Sequence, residues 1–224
     1  RKRGRLLAEI DRPKQHSAAP AHPRVAGRAN TEAGLISTVM AEPSLLLYAL
    51  AIAGANPTQS KPPANSAVSD PAAVVARYQP LTVEEPGNPT HHYILGLAYF
   101  ELGRFDKAAP AFLQVTRLES EDDDGFYALG LTLRKLNRYA DANAALLRAR
   151  ALNGSSIEIQ FDLALSWLDV QQYGKAVPLL ESVVQQAPQA VAAYFNLGIA
   201  YEHEGLGEQA IASYNRALER DPKY

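Results

Sequence analysis

Residues 191–224 read VAAYFNLGIAYEHEGLGEQAIASYNRALERDPKY, and the same pattern stands three more times upstream at a step of 34 residues. Gly96, Gly130, Ala164 and Gly198 keep that step, as do Ala108, Ala142, Ala176 and Ala210. Leu95, Leu129, Leu163 and Leu197 form a third column, and Phe112, Leu146, Leu180 and Tyr214 a fourth. Four columns in one register from residue 89 onward mark a solenoid of stacked units: 89–122, 123–156, 157–190 and 191–224.

Each period is helical twice over. Phe161, Leu165 and Leu168 fall at i, i+4 and i+7, and Val177, Leu180 and Val184 repeat the spacing after a break. Turn residues stand at the breaks: Gly103-Arg104, Asn137-Arg138, Gln171-Gln172 and Gly205-Leu206-Gly207. First helices are therefore expected over 89–102, 123–136, 157–170 and 191–204. Second helices follow over 105–118, 139–152, 173–186 and 207–220. Glycine inside a helix costs about 1 kcal/mol, so its recurrence predicts a site with no room for a side chain. The column of alanines is expected as its opposite wall.

Aromatic-x-x-Leu-Gly-x-x-Tyr, then Gly-x-Tyr/Phe-x-x-Ala-x-x-x-Phe-x-x-Ala and Pro, resembles the tetratricopeptide repeat (TPR). The last unit carries it most fully, with Tyr194, Leu197, Gly198, Tyr201, Gly205, Ala210, Tyr214, Ala217 and Pro222. His92 and Ser120 depart from it in the first unit, Leu133, Asn137 and Gly154 in the second, and Gln160, Ala164 and Gln171 in the third. Gly207 replaces the aromatic of Phe105, Tyr139 and Tyr173, so a looser turn is expected there. The resemblance implies an all-α, right-handed solenoid of antiparallel helix pairs. Moving back one period from Phe112, Val115 and Ser120 reaches Tyr78, Leu81 and Pro86, which predicts a partial repeat over 70–88. Asp70-Pro71 reads as its helix start, and Pro80 predicts a kink or break.

Upstream the composition changes. Residues 1–39 hold eight bases against three acids, with much Ala and Pro and little apolar periodicity, the signature of a disordered tail. The run Leu45–Ala55 is about 16 Å long as a helix, short of the ~30 Å hydrocarbon core. Its Ala53-Gly54-Ala55 ending over 40–55 resembles a cleaved export signal, which predicts a periplasmic or extracellular location. An uncleaved anchor over 34–55, or a cytoplasmic protein with an incidental apolar helix, is the alternative. Met40 is the sole methionine and the expected start of translation, which would make 1–39 an extension. Residues 56–69, rich in Pro, Ser and Asn, read as a flexible linker.

The chain has 22 Lys+Arg, 24 Asp+Glu and no cysteine. That balance excludes a polyphosphate-binding surface, and the missing thiols exclude disulfides and thiolate metal centres. His16, His22, His91, His92 and His203 lack the i, i+4 spacing of a helical metal pair. Glu121-Asp122-Asp123-Asp124-Gly125 lacks the glutamate that closes a calcium loop and is explained by the dipole of the helix opening at 123. No phosphate loop, nucleophile elbow or hydride-cofactor fingerprint is present. No enzyme, cofactor or metal is expected.

First helices line the inner side of a curved stack. On that face the sequence places Tyr93, Tyr127, Phe161 and Phe195, surrounded by Leu97, Phe100, Leu131, Arg134, Leu165, Leu168, Ile199 and Glu202. Lys135 and Asp169 join Arg134 and Glu202 at the edges. In one branch of the family, Lys, Asn and Arg here clamp a carboxylate tail. Here the positions read Tyr93, Leu97, Tyr127, Leu131, Phe161 and Leu165, so that clamp is absent. The expected partner is a peptide or protein segment held by side-chain pockets. Two rivals remain: self-association through the uncapped C-terminal repeat, where Ile211, Tyr214 and Leu218 lie, and the substrate-presenting portion of a larger enzyme such as a glycosyltransferase.

Overall fold

The computed structural model describes residues 70–224. The basic segment 1–39, the signal-like run 40–55 and the linker 56–69 lie outside the described residues. Among those described are nine helices and no strand: α1 Pro71–Glu84, α2 Pro89–Glu101, α3 Phe105–Leu118, α4 Asp123–Lys135, α5 Tyr139–Leu152, α6 Ile157–Asp169, α7 Tyr173–Gln186, α8 Val191–His203 and α9 Gly207–Arg220. Second helices α3, α5, α7 and α9 occupy the expected spans, and each first helix ends one residue early.

Side chains mark where first helices start. Asn88, Asp122 and Ser156, one period apart, accept hydrogen bonds from the backbone N–H groups of Thr90, Gly125 and Ile159. Ala190 occupies the fourth such position and has no side-chain cap. The same two-bond closure ends every first helix. In the first unit Gly103 N–H donates to the Phe100 carbonyl and Arg104 N–H to that of Tyr99. Gly205 and Leu206 reproduce it in the fourth. The turn before Gly207 is thus closed like the others: backbone bonds and a left-handed residue hold it, not the missing aromatic. Asn137 and Gln171 take that left-handed conformation at φ 58° and 59°, where glycine stands in the other two units.

The expected break at Pro80 is not found, and α1 runs uninterrupted from Pro71 to Glu84. Pro80, Pro110 and Pro178 all lie on exposed sides of their helices, where water satisfies the carbonyl that the missing N–H leaves free. Tyr99 Oη donates to Gln79 of α1 at 3.1 Å, and Tyr201 Oη to Glu181 of α7 at 2.5 Å. Both pairs sit 20 residues apart in the chain and three periods from each other, so α1 stands toward α2 as α7 stands toward α8.

The glycines do not face the alanine column. A Cβ at Gly96 would come within 2.7 Å of the Phe112 ring, one at Gly130 within 2.6 Å of Leu146 Cγ, and one at Gly198 within 2.5 Å of the Tyr214 ring. The large residue of each second helix therefore lies flat over the glycine. Ala108, Ala142 and Ala176 are fully buried beside that contact rather than across it.

Every helix packs on the one before and the one after it, and successive first helices also touch, whereas second helices do not touch each other. That asymmetry puts α2, α4, α6 and α8 on the inner side of the curve.

Candidate functional site

The inner face is built by helical spacing: residues three, four and seven apart on one first helix share a stripe. It brings Tyr93, Leu131, Arg134, Leu168, Phe195 and Ile199 to partial exposure, with Phe100 and Tyr127 beside them, and leaves Glu202 exposed. Three of the residues assigned to it are taken up by the core. Phe161 is 7% exposed, and Leu97 and Leu165 are equally covered. Tyr93 and Phe195 are held by rings of their own second helices: Tyr93 meets Phe112 edge-on at 5.7 Å and Phe195 is tilted on Tyr214 at 5.8 Å.

Polar ties cross this face from the second unit to the third. Tyr127 Oη donates to Asp162 Oδ2 at 2.5 Å, and Arg134 Nε donates to Asp169 Oδ2 at 2.5 Å. Arg134 Nη1 also lies 3.9 Å from Asp162. Each bonded partner is 35 residues on, one period plus one, so the ties lean across the stack. Glu202 is held within its own unit, accepting from Tyr214 Oη at 2.8 Å. Lys135 is exposed and has no ion-pair partner among the described residues.

The electrostatics are those of crowded carboxylates. Burial raises the Asp162 carboxyl above the usual range, against the lowering bond from Tyr127 and the charge of Arg134. Partial burial, then Asp123 and Asp122, raises Asp124 in the same direction. The Tyr127 and Tyr93 phenols are pushed up by burial and then by the acids near them. Both hydroxyls therefore stay protonated throughout the physiological range, and that of Tyr127 donates to Asp162. Asp124 and Glu158 stand one period apart at the openings of their helices. The sequence pattern marks Asp124 only as part of an acidic helix start and singles out neither Glu158 nor Asp162.

Elsewhere several ionisable groups are occupied structurally. His203 stacks on Tyr173 at 4.1 Å, and Lys175 Nζ lies 4.2 Å over the Trp167 ring. Arg220 covers Tyr194 and donates to the Pro188 carbonyl. Among the described residues no group of three or more acids or histidines is placed to hold a metal ion, and no helix is long and apolar enough to cross a membrane.

Stacked hairpins with a continuous inner face of aromatic, aliphatic and charged side chains define a solenoid scaffold of the kind that binds proteins. The tetratricopeptide repeat family model matches residues 67–123 and 161–224, more than half of the chain. The chain belongs to the tetratricopeptide repeat family. A crystal structure of MamA is similar at 26% identity and a TM-score of 0.66, over 69% of this chain and 91% of that one. YrrB, described as a TPR protein with an unusual peptide-binding site, is similar at 22% identity and a TM-score of 0.67, over 85% and 93%. MamA from Desulfovibrio magneticus RS-1 follows at 20% and 0.64, over 68% and 86%. The latter two share the fold. No curated protein matches.

Proposed function

We propose that this chain is a non-catalytic scaffold that holds a peptide or protein segment on its concave face. The observation that carries the reading is the unbroken contact of α2, α4, α6 and α8 along one side, with Tyr93, Leu131, Phe195 and Ile199 left partly exposed on it. Aromatic and aliphatic side chains flanked by a few charges are the composition of binding hot spots. Leu131 and Ile199 are the better probes of this face, because truncating the buried Phe161 would damage the core as well.

The test is selection from a random dodecapeptide library displayed on phage, panned against the full chain. Peptides should be enriched, and a Leu131→Ser/Ile199→Ser variant should lose them while keeping its far-ultraviolet circular dichroism. Peptides retained by that variant would place binding elsewhere.

A second reading, self-association, rests on α9. Ile211 is 63% exposed and Leu218 48% exposed, although the positions one period earlier, Val177 and Val184, are partly buried against the core.

A further inference from the structure

Charge is divided between the two sides of the stack. The four first helices carry seven carboxylates against two bases, whereas the four second helices carry five against seven. Helices of the first kind line the concave face, so the helices on that side are acidic and the outer ones basic. One of the two inner bases, Arg134, is already committed to Asp169 and Asp162.

The surplus is concentrated at the opening turns of α4 and α6. Asp124 and Glu158 are exposed there, and neither has an ion-pair partner among the described residues. Glu158 accepts only from the Ser156 hydroxyl. Each stands three residues ahead of an aromatic of its own helix: the half-buried Tyr127 for Asp124, and Phe161, which the core covers, for Glu158. Tyr93 is within electrostatic reach of Asp124, and Tyr127 of Glu158 and of Tyr93. The helix dipole favours an acid in a first turn but supplies no counter-ion.

Aromatic rings beside uncompensated carboxylates are the chemistry that receives an ammonium or guanidinium group. Such a side chain lays its apolar stem on aliphatic surface and keeps its charge at the rim, and Leu131 lies one turn beyond Tyr127 to take it. We infer that the concave face selects a partner segment bearing Lys or Arg, with the cationic heads beside Asp124 and Glu158 and the apolar residues on Leu131 and Ile199. The inference rests on the groove reading above and names its partner's chemistry.

The phage selection already described separates the two. Enriched peptides should carry more Lys and Arg than the unselected library. A fluorescein-labelled representative should bind the Asp124→Asn/Glu158→Gln variant about tenfold more weakly, the loss expected for two partly screened ion pairs. Its affinity for the unaltered chain should fall as salt is raised. Enriched peptides without excess bases, yet lost in the Leu131→Ser/Ile199→Ser variant, would overturn the charge selection and leave the groove reading standing. No enrichment that depends on Leu131 and Ile199 would overturn both. Enrichment that appears only after the eight bases of residues 1–39 are changed to Gln would assign the acidic face to this chain's own N-terminal segment and overturn a separate partner.

Discussion

The second and fourth units share one 34-residue template and differ in what lies beyond them. In the second, Leu146 is fully buried over Gly130, and Asn143 of the same helix is 5% exposed. In the fourth, Tyr214 lies over Gly198 in the same way yet stays partly exposed, and Ile211, the counterpart of Asn143, is largely in water. The contact inside the hairpin is thus a property of the unit, whereas the outer columns of a second helix are buried only by the next first helix. That is the nearest-neighbour logic of a solenoid.

The sharpest way to break this comparison is to place the same side chain in both hairpins. In Gly130→Leu the new Cβ meets Leu146 Cγ at 2.6 Å and the Leu146 backbone nitrogen at 3.3 Å, and Leu146 is itself fully buried. A loss of about 3 kcal/mol is expected, the upper end for overpacking. In Gly198→Leu the close atoms are all ring carbons of a partly exposed tyrosine that can turn outward, so about 1 kcal/mol is expected. Urea unfolding of the two variants measures the difference. Equal losses would show that the next unit contributes nothing to the rigidity of the hairpin.

Two seams between units sharpen it further, because each is tied by a tyrosine and a carboxylate. Tyr127→Phe leaves Asp162 without its 2.5 Å donor and should cost about 1 to 2 kcal/mol. Tyr201→Phe removes the equivalent donor to Glu181 and tests the seam ahead of the fourth unit. The Tyr201 phenol is pushed up to about 12 by burial and then by its bond to Glu181. A folded-state value above the unfolded one means that the native state holds the proton more tightly. The contribution is therefore complete below pH 10 and is lost as the pH climbs toward 12. Tyr201→Phe should flatten the fall in stability across that window, as followed by urea unfolding at each pH. An unchanged slope would show that Tyr201 does not couple the third and fourth units.

Much of this architecture is legible in the sequence, because helix length, turn position and glycine placement repeat and repetition averages out local ambiguity. What faced the glycines was not legible. The period gives spacing along a helix but not its rotation about its axis, and a modest rotation exchanges the alanine column for Phe112, Leu146 and Tyr214 over Gly96, Gly130 and Gly198. The same missing angle explains the inner face. Tyr93 and Phe161 share a column, yet Phe161 sinks into the core while Tyr93 stays partly open. Ties such as Tyr127–Asp162 and Arg134–Asp169 occur once each, so no column announces them. Pro80 misleads for a different reason: its cost depends on whether water reaches the orphan carbonyl, which exposure decides and residue type does not.

The smallest expected effect lies at the exposed face of the fourth unit. Ile211 and Leu218 leave little apolar surface to lose on substitution, so Ile211→Ser/Leu218→Ser should change the unfolding free energy by no more than about 0.5 kcal/mol. Val177 occupies the place of Ile211 one period earlier and packs against the core. Val177→Ser should therefore cost about 1 kcal/mol or more, because it buries a hydroxyl where a methyl was covered. A near-neutral double variant beside a costly single one would confirm that burial of this column comes from the following first helix. Sedimentation gives the same pair of substitutions a second meaning. If the unaltered chain forms dimers that the double variant does not, a second copy covers Ile211 and Leu218 as α8 covers Val177. If both sediment as monomers, no second copy covers Ile211 and Leu218, and self-association through α9 is overturned.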